Sequence, residues 1–229
     1  MMIKNAEITK QARLALKNNW VNPILVSLLF FLLSGLSGWI HPFFGSFLAL
    51  IVSAILTPGI IKFFLESTSR KDVEIEILFS EYKRFLTMLV FFLLLSLGMI
   101  IGLILLIVPG FIFMFGMFLT YFIIVENPEM SAVDAMKLSW NMMKGKKGKL
   151  FLLGFRFIGW YLLAILTLGI GFIWLMPYVM MAQTIFYQEA KKDYFGKAEE
   201  TQTETAPEEP VTEAADENIS PTDGSQPAE

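Results

Sequence analysis

Residues 86–108 read LTMLVFFLLLSLGMIIGLILLIV, and after Pro109 residues 110–125 read GFIFMFGMFLTYFIIV. Neither run contains a charged side chain. A helix needs about 20 mainly apolar residues to cross the hydrocarbon core of a bilayer. The first run therefore predicts a transmembrane helix, and the Pro109-Gly110 break predicts that the second run returns as the other arm of a hairpin.

The composition of the whole chain agrees with this interpretation. Of its 229 residues, 55% are hydrophobic and 17% are charged, and the mean hydropathy is +0.59. Soluble domains carry about 25% charged residues. The chain has no cysteine and one histidine, which excludes disulfides and thiolate or multi-histidine metal sites. The sequence contains no catalytic, cofactor-binding or nucleic-acid-binding motif, so we expect a protein that is not an enzyme and holds no cofactor.

Six apolar segments predict an all-α protein with six transmembrane helices arranged as three hairpins. The segments are Pro23–Ile40, Phe43–Leu65, Leu86–Val108, Gly110–Val125, Leu150–Leu168 and Ile170–Gln188. The two arms of each hairpin are joined by a short turn at His41-Pro42, Pro109-Gly110 or Leu168-Gly169. Proline and glycine are typical of such turns.

The basic residues lie on one side of this predicted topology. On this side lie 17 of the 18 Lys and Arg residues. They are found in the N-terminal segment, in the connections after the second and fourth spans together with Lys62 near the end of the second span, and in the flank after the sixth span. The three short turns carry none. Lys and Arg are enriched on the cytoplasmic side of membrane proteins. We therefore expect a multi-pass protein with both termini in the cytoplasm.

The C-terminal segment differs in composition from the rest of the chain. Residues 1–197 carry a net charge of +7, whereas residues 198–229 contain ten acidic side chains and no basic one. A segment with this charge and few large apolar side chains cannot bury enough surface to fold. The sequence predicts an integral membrane domain over residues 1–197 and a disordered acidic cytoplasmic tail over residues 198–229.

Each predicted hairpin follows an amphipathic cytoplasmic stretch. In the third stretch, Val133, Met136, Trp140 and Met143 recur at helical spacing. Ser131 three residues before Asp134 is typical of a helix N-terminus. Helices of this kind lie in the membrane interface with the apolar face toward the acyl chains and the basic face toward anionic headgroups.

A run of basic residues follows the third amphipathic stretch. Lys144, Lys146, Lys147 and Lys149 lie within six positions of one another, close to Trp140. Each cation near an anionic membrane surface adds about 1 kcal/mol of attraction. These five residues are therefore candidates for contact with lipid headgroups, and the bilayer, with its anionic lipids, is the expected partner.

Arg156 falls well inside a predicted span, whereas Lys62, the other basic residue within one, is three residues from the end of the second span. A charge at membrane depth is costly and is often functional. From this position the side chain can also extend to the interface, or pair with Glu66, Glu126 or Glu189 at the ends of other spans. The sequence leaves a structural role and a contact with substrate or lipid phosphate both open.

Glycine and proline positions indicate how the spans pack. Gly98 and Gly102 form a GxxxG pattern, which lets two helices approach closely and supports packing more than dimerisation. Pro177 lies in the middle of the last predicted span and predicts a kink. Such a kink either packs against neighbouring helices or lines a cavity, as in transporters.

Several short motifs follow one another in a distinctive order. They are Ala12-Arg13 to Asn19-Trp20, Leu106-Ile107-Val108-Pro109-Gly110, Asn127-Pro128, Met143-Lys144-Gly145-Lys146, Gly159-Trp160, Thr167-Leu168-Gly169-Ile170-Gly171 and Pro177-Tyr178. In these motifs the chain resembles the Domain of Unknown Function 975 family, polytopic membrane proteins found mainly in Gram-positive bacteria. The resemblance covers about residues 5–190 and implies a location in the bacterial plasma membrane. It supplies no catalytic residues, and the acidic tail is not part of it.

Two functions from different classes fit these observations. The first is a non-enzymatic membrane scaffold or regulator acting on the cytoplasmic side, because nearly every feature able to meet a protein partner is expected there. The alternative is a transporter or lipid-handling protein for an amphipathic or anionic lipid-like substrate, favoured by Arg156 and Pro177. The sequence does not specify the substrate, the protein partner or the oligomeric state.

Overall fold

The computed structural model describes residues 2–17, 19–37, 42–70, 73–105 and 107–204. Within these ranges the chain folds into helices joined by short connections and contains no strand. The helices are α1 (Asn5–Leu16), α2 (Val21–Ser37), α3 (Pro42–Ser67), α4 (Phe85–Leu105), α5 (Ile107–Met117), α6 (Thr120–Glu126), α7 (Ala132–Met142), α8 (Lys147–Leu166) and α9 (Phe172–Glu204). Two short 3₁₀ turns, Ile75–Phe79 and Tyr82–Arg84, precede α4. The predicted all-α class is confirmed.

Several of these helices are suited to cross a membrane. Four described segments are long and apolar enough: Leu48–Ser67, Ile75–Gly102, Val108–Glu126 and Lys147–Leu166. A fifth is possible if α1 and α2, which meet at a bend of 101°, are counted as one span. Helix α2 alone, with 17 residues, is too short to be counted. Helix α9 is long enough but is not sufficiently apolar, because it carries polar side chains along its length. The six-span topology therefore stays a prediction.

The hairpin between α4 and α5 is held together through glycine. A Cβ atom at Gly102 would lie 2.7 Å from the Cα of Gly110, and one at Gly98 would lie 2.4 Å from the ring of Phe113. The GxxxG pattern is thus used for packing within the chain. Pro109, however, lies inside α5, so the prediction that Pro109-Gly110 forms the turn is wrong. Proline tolerates the first turn of a helix because the N–H group that it lacks would have no helical partner there.

Of the two other predicted turns, the structure confirms one and does not describe the other, and it interrupts the predicted fourth span. Leu168 and Gly169 form a turn between α8 and α9, with positive φ angles of 54° and 91°. The predicted turn at His41 lies outside the described residues. The predicted fourth span is divided into α5 and α6 by a turn at Phe118 and Leu119.

The amphipathic helices α1 and α7 pack against the bundle. In α1, Ile8, Ala12 and Leu16 are buried, as the helical spacing predicts. The face of α7 that packs against protein is offset from the predicted apolar face: it contains Ala135 and Ser139, while Val133 stays 47% exposed. On this face the Ser139 hydroxyl donates a 2.7 Å hydrogen bond to the carbonyl oxygen of Gly116 on α5.

Helix α7 begins where the sequence predicts a helix start. The Ser131 side chain accepts a 3.2 Å hydrogen bond from the amide of Asp134, which confirms the predicted helix start.

Helix α9 continues through Pro177 and ends at Glu204, past the predicted tail boundary at residue 198. Residues 205–229, the rest of the predicted tail, lie outside the described part of the chain.

Candidate functional site

Arg156 lies in a cleft together with two basic side chains of α1. The cleft has a volume of about 310 Å³. Its lining contains Ala6, Thr9, Lys10, Arg13, Arg156, Trp160 and Tyr178, and we call it the cationic cleft. The cleft therefore joins α1, α8 and α9, and three of its lining side chains carry a positive charge at neutral pH.

Two hydrogen bonds hold α1 in this position. The Tyr178 hydroxyl on α9 donates a 3.1 Å bond to the carbonyl oxygen of Thr9. The Asn5 side chain donates a 2.9 Å bond to the carbonyl oxygen of Lys149, near the start of α8. Because Ile8 and Ala12 are fully buried on the opposite side of α1, its polar face is left to line the cleft.

Within the described part of the chain, the positive charges of the cleft are poorly compensated. Arg156 makes no ion pair with any described acidic residue. The guanidinium carbon of Arg13 lies 5.8 Å from the centre of the Tyr178 ring, a cation–π contact. Lys10 has Glu7 as a partner at 3.8 Å, with both side chains largely in solvent. Exposed pairs of this kind contribute little, so the cleft keeps an excess of positive charge.

The acidic residues that the sequence offered to Arg156 are paired elsewhere. Glu66 bonds to Arg70, one turn further along the chain. Glu126 accepts hydrogen bonds from the Tyr187 hydroxyl, at 2.6 Å, and from the Lys191 ammonium. Glu189 lies 3.5 Å from Lys192. Pairing of Arg156 with one of these three carboxylates, which the sequence left open, is therefore not observed, because each is paired with another basic side chain.

An apolar groove of about 320 Å³ adjoins the cationic cleft. The two share Arg13, Trp160 and Tyr178 as lining residues. Beyond these, the groove is lined mainly by apolar side chains and includes Trp20 and Trp174, and we call it the tryptophan groove. A charged cleft that opens onto an apolar groove has the form required by a ligand with an anionic head and an apolar chain.

The predicted lysine cluster does not form a single site. Lys146 pairs with Asp193 at 3.0 Å, and these side chains are only 13% and 6% exposed. The Lys147 ammonium lies 3.5 Å from the centre of the Trp140 ring, a close cation–π contact. Lys144 is exposed, and Lys149 contributes its backbone carbonyl to the anchoring of α1. Lys146 thus has a structural role, and none of the four lysines lines the cationic cleft.

Lys10, Arg13 and Tyr178 were not identified as site residues from the sequence. Lys10 and Arg13 are three positions apart on α1, a spacing that places them on one face of a helix. That signal is present in the sequence, but it does not show which helix the face meets. Among the described residues, no group of three or more His, Cys, Asp or Glu side chains is placed to hold a metal ion.

Comparison with known proteins finds a similarity to one family over part of the chain. Residues 98–193 match the family model described as Protein of unknown function (DUF975). The matched segment includes Arg156 and Tyr178 of the cationic cleft and ends before Glu204. No curated protein and no solved structure matches the chain. The resemblance seen in the sequence motifs is thereby confirmed over residues 98–193, and this segment is similar to the DUF975 family.

Proposed function

We propose that this protein is a multi-pass plasma-membrane protein that binds an anionic phospholipid. The headgroup phosphate occupies the cationic cleft, and an acyl chain lies along the tryptophan groove. The observation that carries the proposal is that Arg156 shares a cleft with Lys10 and Arg13 and has no described acidic partner. The ligand thus belongs to the class of amphipathic, anionic molecules.

The chemistry of the cleft suits a phosphate. Like charges brought together without a counter-ion repel each other, and a bound anion removes that cost. The planar guanidinium groups of Arg13 and Arg156 can each donate two parallel hydrogen bonds to phosphate oxygens. An ammonium such as that of Lys10 acts as a point charge beside them.

The proposal includes an orientation in the membrane. The distribution of Lys and Arg favours cytoplasmic N- and C-termini. The cleft would then lie near the cytoplasmic leaflet, where anionic lipids produce a negative surface potential.

We propose a binding function and not catalysis. The residues that line the cationic cleft include no carboxylate, imidazole or thiol. General acid–base and nucleophilic catalysis most often depend on such groups. Holding a lipid in place is therefore the role that this arrangement supports best.

Native mass spectrometry of the full chain tests the proposal. The protein would be released in mild detergent from vesicles of phosphatidylglycerol and phosphatidylcholine. We expect one phosphatidylglycerol to stay bound to the wild type and to be lost from Arg156→Gln. Lys83→Gln is the matched control, because it removes one exposed positive charge from a residue that lines neither the cleft nor the groove.

Two results would contradict this proposal. One is equal retention of phosphatidylglycerol by the wild type, Arg156→Gln and Lys83→Gln, which would mean that lipid binds elsewhere. The other is equal retention of phosphatidylcholine and phosphatidylglycerol, which would mean that the negative headgroup charge is not recognised.

A cytoplasmic scaffold function is the second candidate. The observation that favours it is the length of α9, which continues to Glu204, beyond the ion pair that joins Asp193 to Lys146. Phe195, in this terminal part, is 44% exposed. A pull-down after crosslinking in cells, with the full chain and with a chain that ends at Tyr194 and so lacks Phe195 and the end of α9, tests it. Loss of a specific protein partner on truncation would support the scaffold, and no specific partner with either chain would contradict it.

A further inference from the structure

A third cavity, partly open to the surroundings, lies between the helices of the bundle and away from the cationic cleft. It has a volume of about 330 Å³ and is bounded by residues of α4, α5, α6, α8 and α9. It shares no lining residue with the cationic cleft or the tryptophan groove. We call it the bundle cavity. Its size is within the range of sites that hold small molecules, about 300–1,000 Å³.

The walls of the bundle cavity are mainly apolar and aromatic. Phe115, Phe118 and Phe157 contribute rings, and Tyr121 and Tyr161 contribute phenol groups. Gly154 lies in the wall without a side chain, and a Cβ atom there would have no atom within 4 Å. These surfaces are suited to a flat, uncharged, lipid-soluble molecule.

The carboxamide of Gln183 is the unexpected feature of this cavity. The neighbouring polar side chains of α9 all have hydrogen-bond partners: Tyr178 with Thr9, Thr184 with Met180, Tyr187 with Glu126 and Gln188 with Thr68. Gln183 lines the cavity and makes no hydrogen bond with a described residue. The Gln183 side chain is half-buried, and its carboxamide is therefore open to a hydrogen bond with a molecule that enters the cavity.

The hydroxyl groups of two tyrosines in the wall of the cavity are further hydrogen-bond donors. Neither Tyr121 nor Tyr161 makes a hydrogen bond with a described residue. Together with the NH₂ group of Gln183, the cavity therefore offers three donor groups that are not bonded to a described residue. Donors that line an apolar cavity recognise a molecule that carries acceptors, and carbonyl oxygens on a ring are acceptors of this kind.

We propose that the bundle cavity binds a lipid-soluble quinone. The ring packs among the aromatic side chains, and a ring carbonyl accepts a hydrogen bond from Gln183. The site uses residues different from those of the phospholipid site, so it does not depend on the proposed function.

Binding of 2-methyl-1,4-naphthoquinone to the purified full chain in detergent tests this inference. Equilibrium dialysis against matched empty micelles separates binding from partitioning. We expect saturable binding of one molecule per chain. Gly154→Leu, whose side chain fills the cavity, and Gln183→Leu, which removes the donor, should each weaken binding about tenfold.

Matched variants distinguish loss of the site from loss of the fold. Gly159→Leu is the control for Gly154→Leu, since Gly159 is on the same helix, also has open space at its Cβ position and does not line the cavity. It should bind the naphthoquinone within about twofold of the wild type. Gln183→Leu should unfold at a temperature equal to or above that of the wild type, because it removes an unpaired amide.

The proposal is overturned if the wild type shows only non-saturable partitioning. It is equally overturned if folded Gly154→Leu or Gln183→Leu binds the naphthoquinone as tightly as the wild type. In the first case the cavity does not bind this class of molecule, and in the second the molecule binds at another place.

Discussion

The hydroxyl of Tyr178 donates a 3.1 Å hydrogen bond to the carbonyl oxygen of Thr9, 169 residues earlier in the chain. The bond joins α1 to α9 in the wall of the cationic cleft. The acceptor residue, Thr9, lies between the buried Ile8 and Lys10. The hydrogen bond therefore fixes the part of α1 that bears the basic side chains of the cleft. The geometry of the proposed phospholipid site therefore depends on a phenol group that itself carries no charge at neutral pH.

Removal of this hydroxyl should loosen α1. We expect Tyr178→Phe to lower the free energy of unfolding by about 1 kcal/mol, the usual contribution of one hydrogen bond. Hydrogen–deuterium exchange should increase in residues 5–16 and should change little in α4 and α5. Tyr82→Phe is the control, because the Tyr82 side chain is 61% exposed. Unchanged exchange in α1 would show that its apolar face alone holds it in place.

Phosphatidylglycerol binding should depend on each basic side chain of the cleft and on ionic strength. We expect Arg13→Gln and Arg156→Gln each to weaken it about fivefold, which corresponds to about 1 kcal/mol per cation. The screening length falls from about 10 Å at 0.1 M salt to about 3 Å at 1 M. The affinity of the wild type should fall over this range, and that of the double variant should change much less. Titration with phosphatidylglycerol in nanodiscs measures both effects.

A salt dependence that is equal in the wild type and the double variant would contradict this prediction. It would show that charges elsewhere on the protein attract the lipid. Lys144→Gln serves as the control here, since Lys144 is exposed and does not line the cleft.

Local features of the structure could be predicted from the sequence. The all-α class, the turn at Leu168-Gly169 and the Ser131 cap of α7 depend on residues close together in the chain. Hydrophobic patterns, turn residues and caps report on such neighbours directly. Arg156 was singled out for the same reason, because a charge within an apolar run is visible without knowledge of the fold.

The cleft itself could not be predicted, because packing between distant segments creates it. Helical spacing places Lys10 and Arg13 on one face of α1, but only tertiary contacts bring that face to α8 and α9. The burial of Lys146 was missed for a related reason. Its partner Asp193 is far away in the sequence, and a lysine in a basic run is ordinarily expected in solvent.

The α4–α5 hairpin should be sensitive to added volume at Gly102. A Cβ atom there would meet the backbone of Gly110 at 2.7 Å, and backbone cannot move aside easily. We expect Gly102→Ala to lower the stability by about 1–3 kcal/mol. Gly148→Ala is the control, because its Cβ position has no atom within 4 Å. Thermal unfolding in detergent, followed by circular dichroism, measures both variants.

Size-exclusion chromatography with light scattering gives a second readout for Gly102→Ala. If the glycine serves packing within the chain, the variant should lose stability without a change in oligomeric state. A wild-type dimer that dissociates in Gly102→Ala, with no loss of thermal stability, would assign the GxxxG pattern to contact between chains instead.

The ion pair between Lys146 and Asp193 should contribute strongly to the attachment of α9. Both side chains are nearly buried, and Lys146 also donates a 3.3 Å hydrogen bond to the carbonyl oxygen of Ala190. Removal of one member of a buried pair leaves the other charge in an unfavourable environment, at a cost of about 3 kcal/mol. We therefore expect Lys146→Met to unfold at a clearly lower temperature than the wild type. Lys144→Met, which removes an exposed charge from the same turn, should change the unfolding temperature little. Equal effects of the two substitutions would show that the buried pair does not hold α9 in place and that loss of positive charge in this turn matters more than its position.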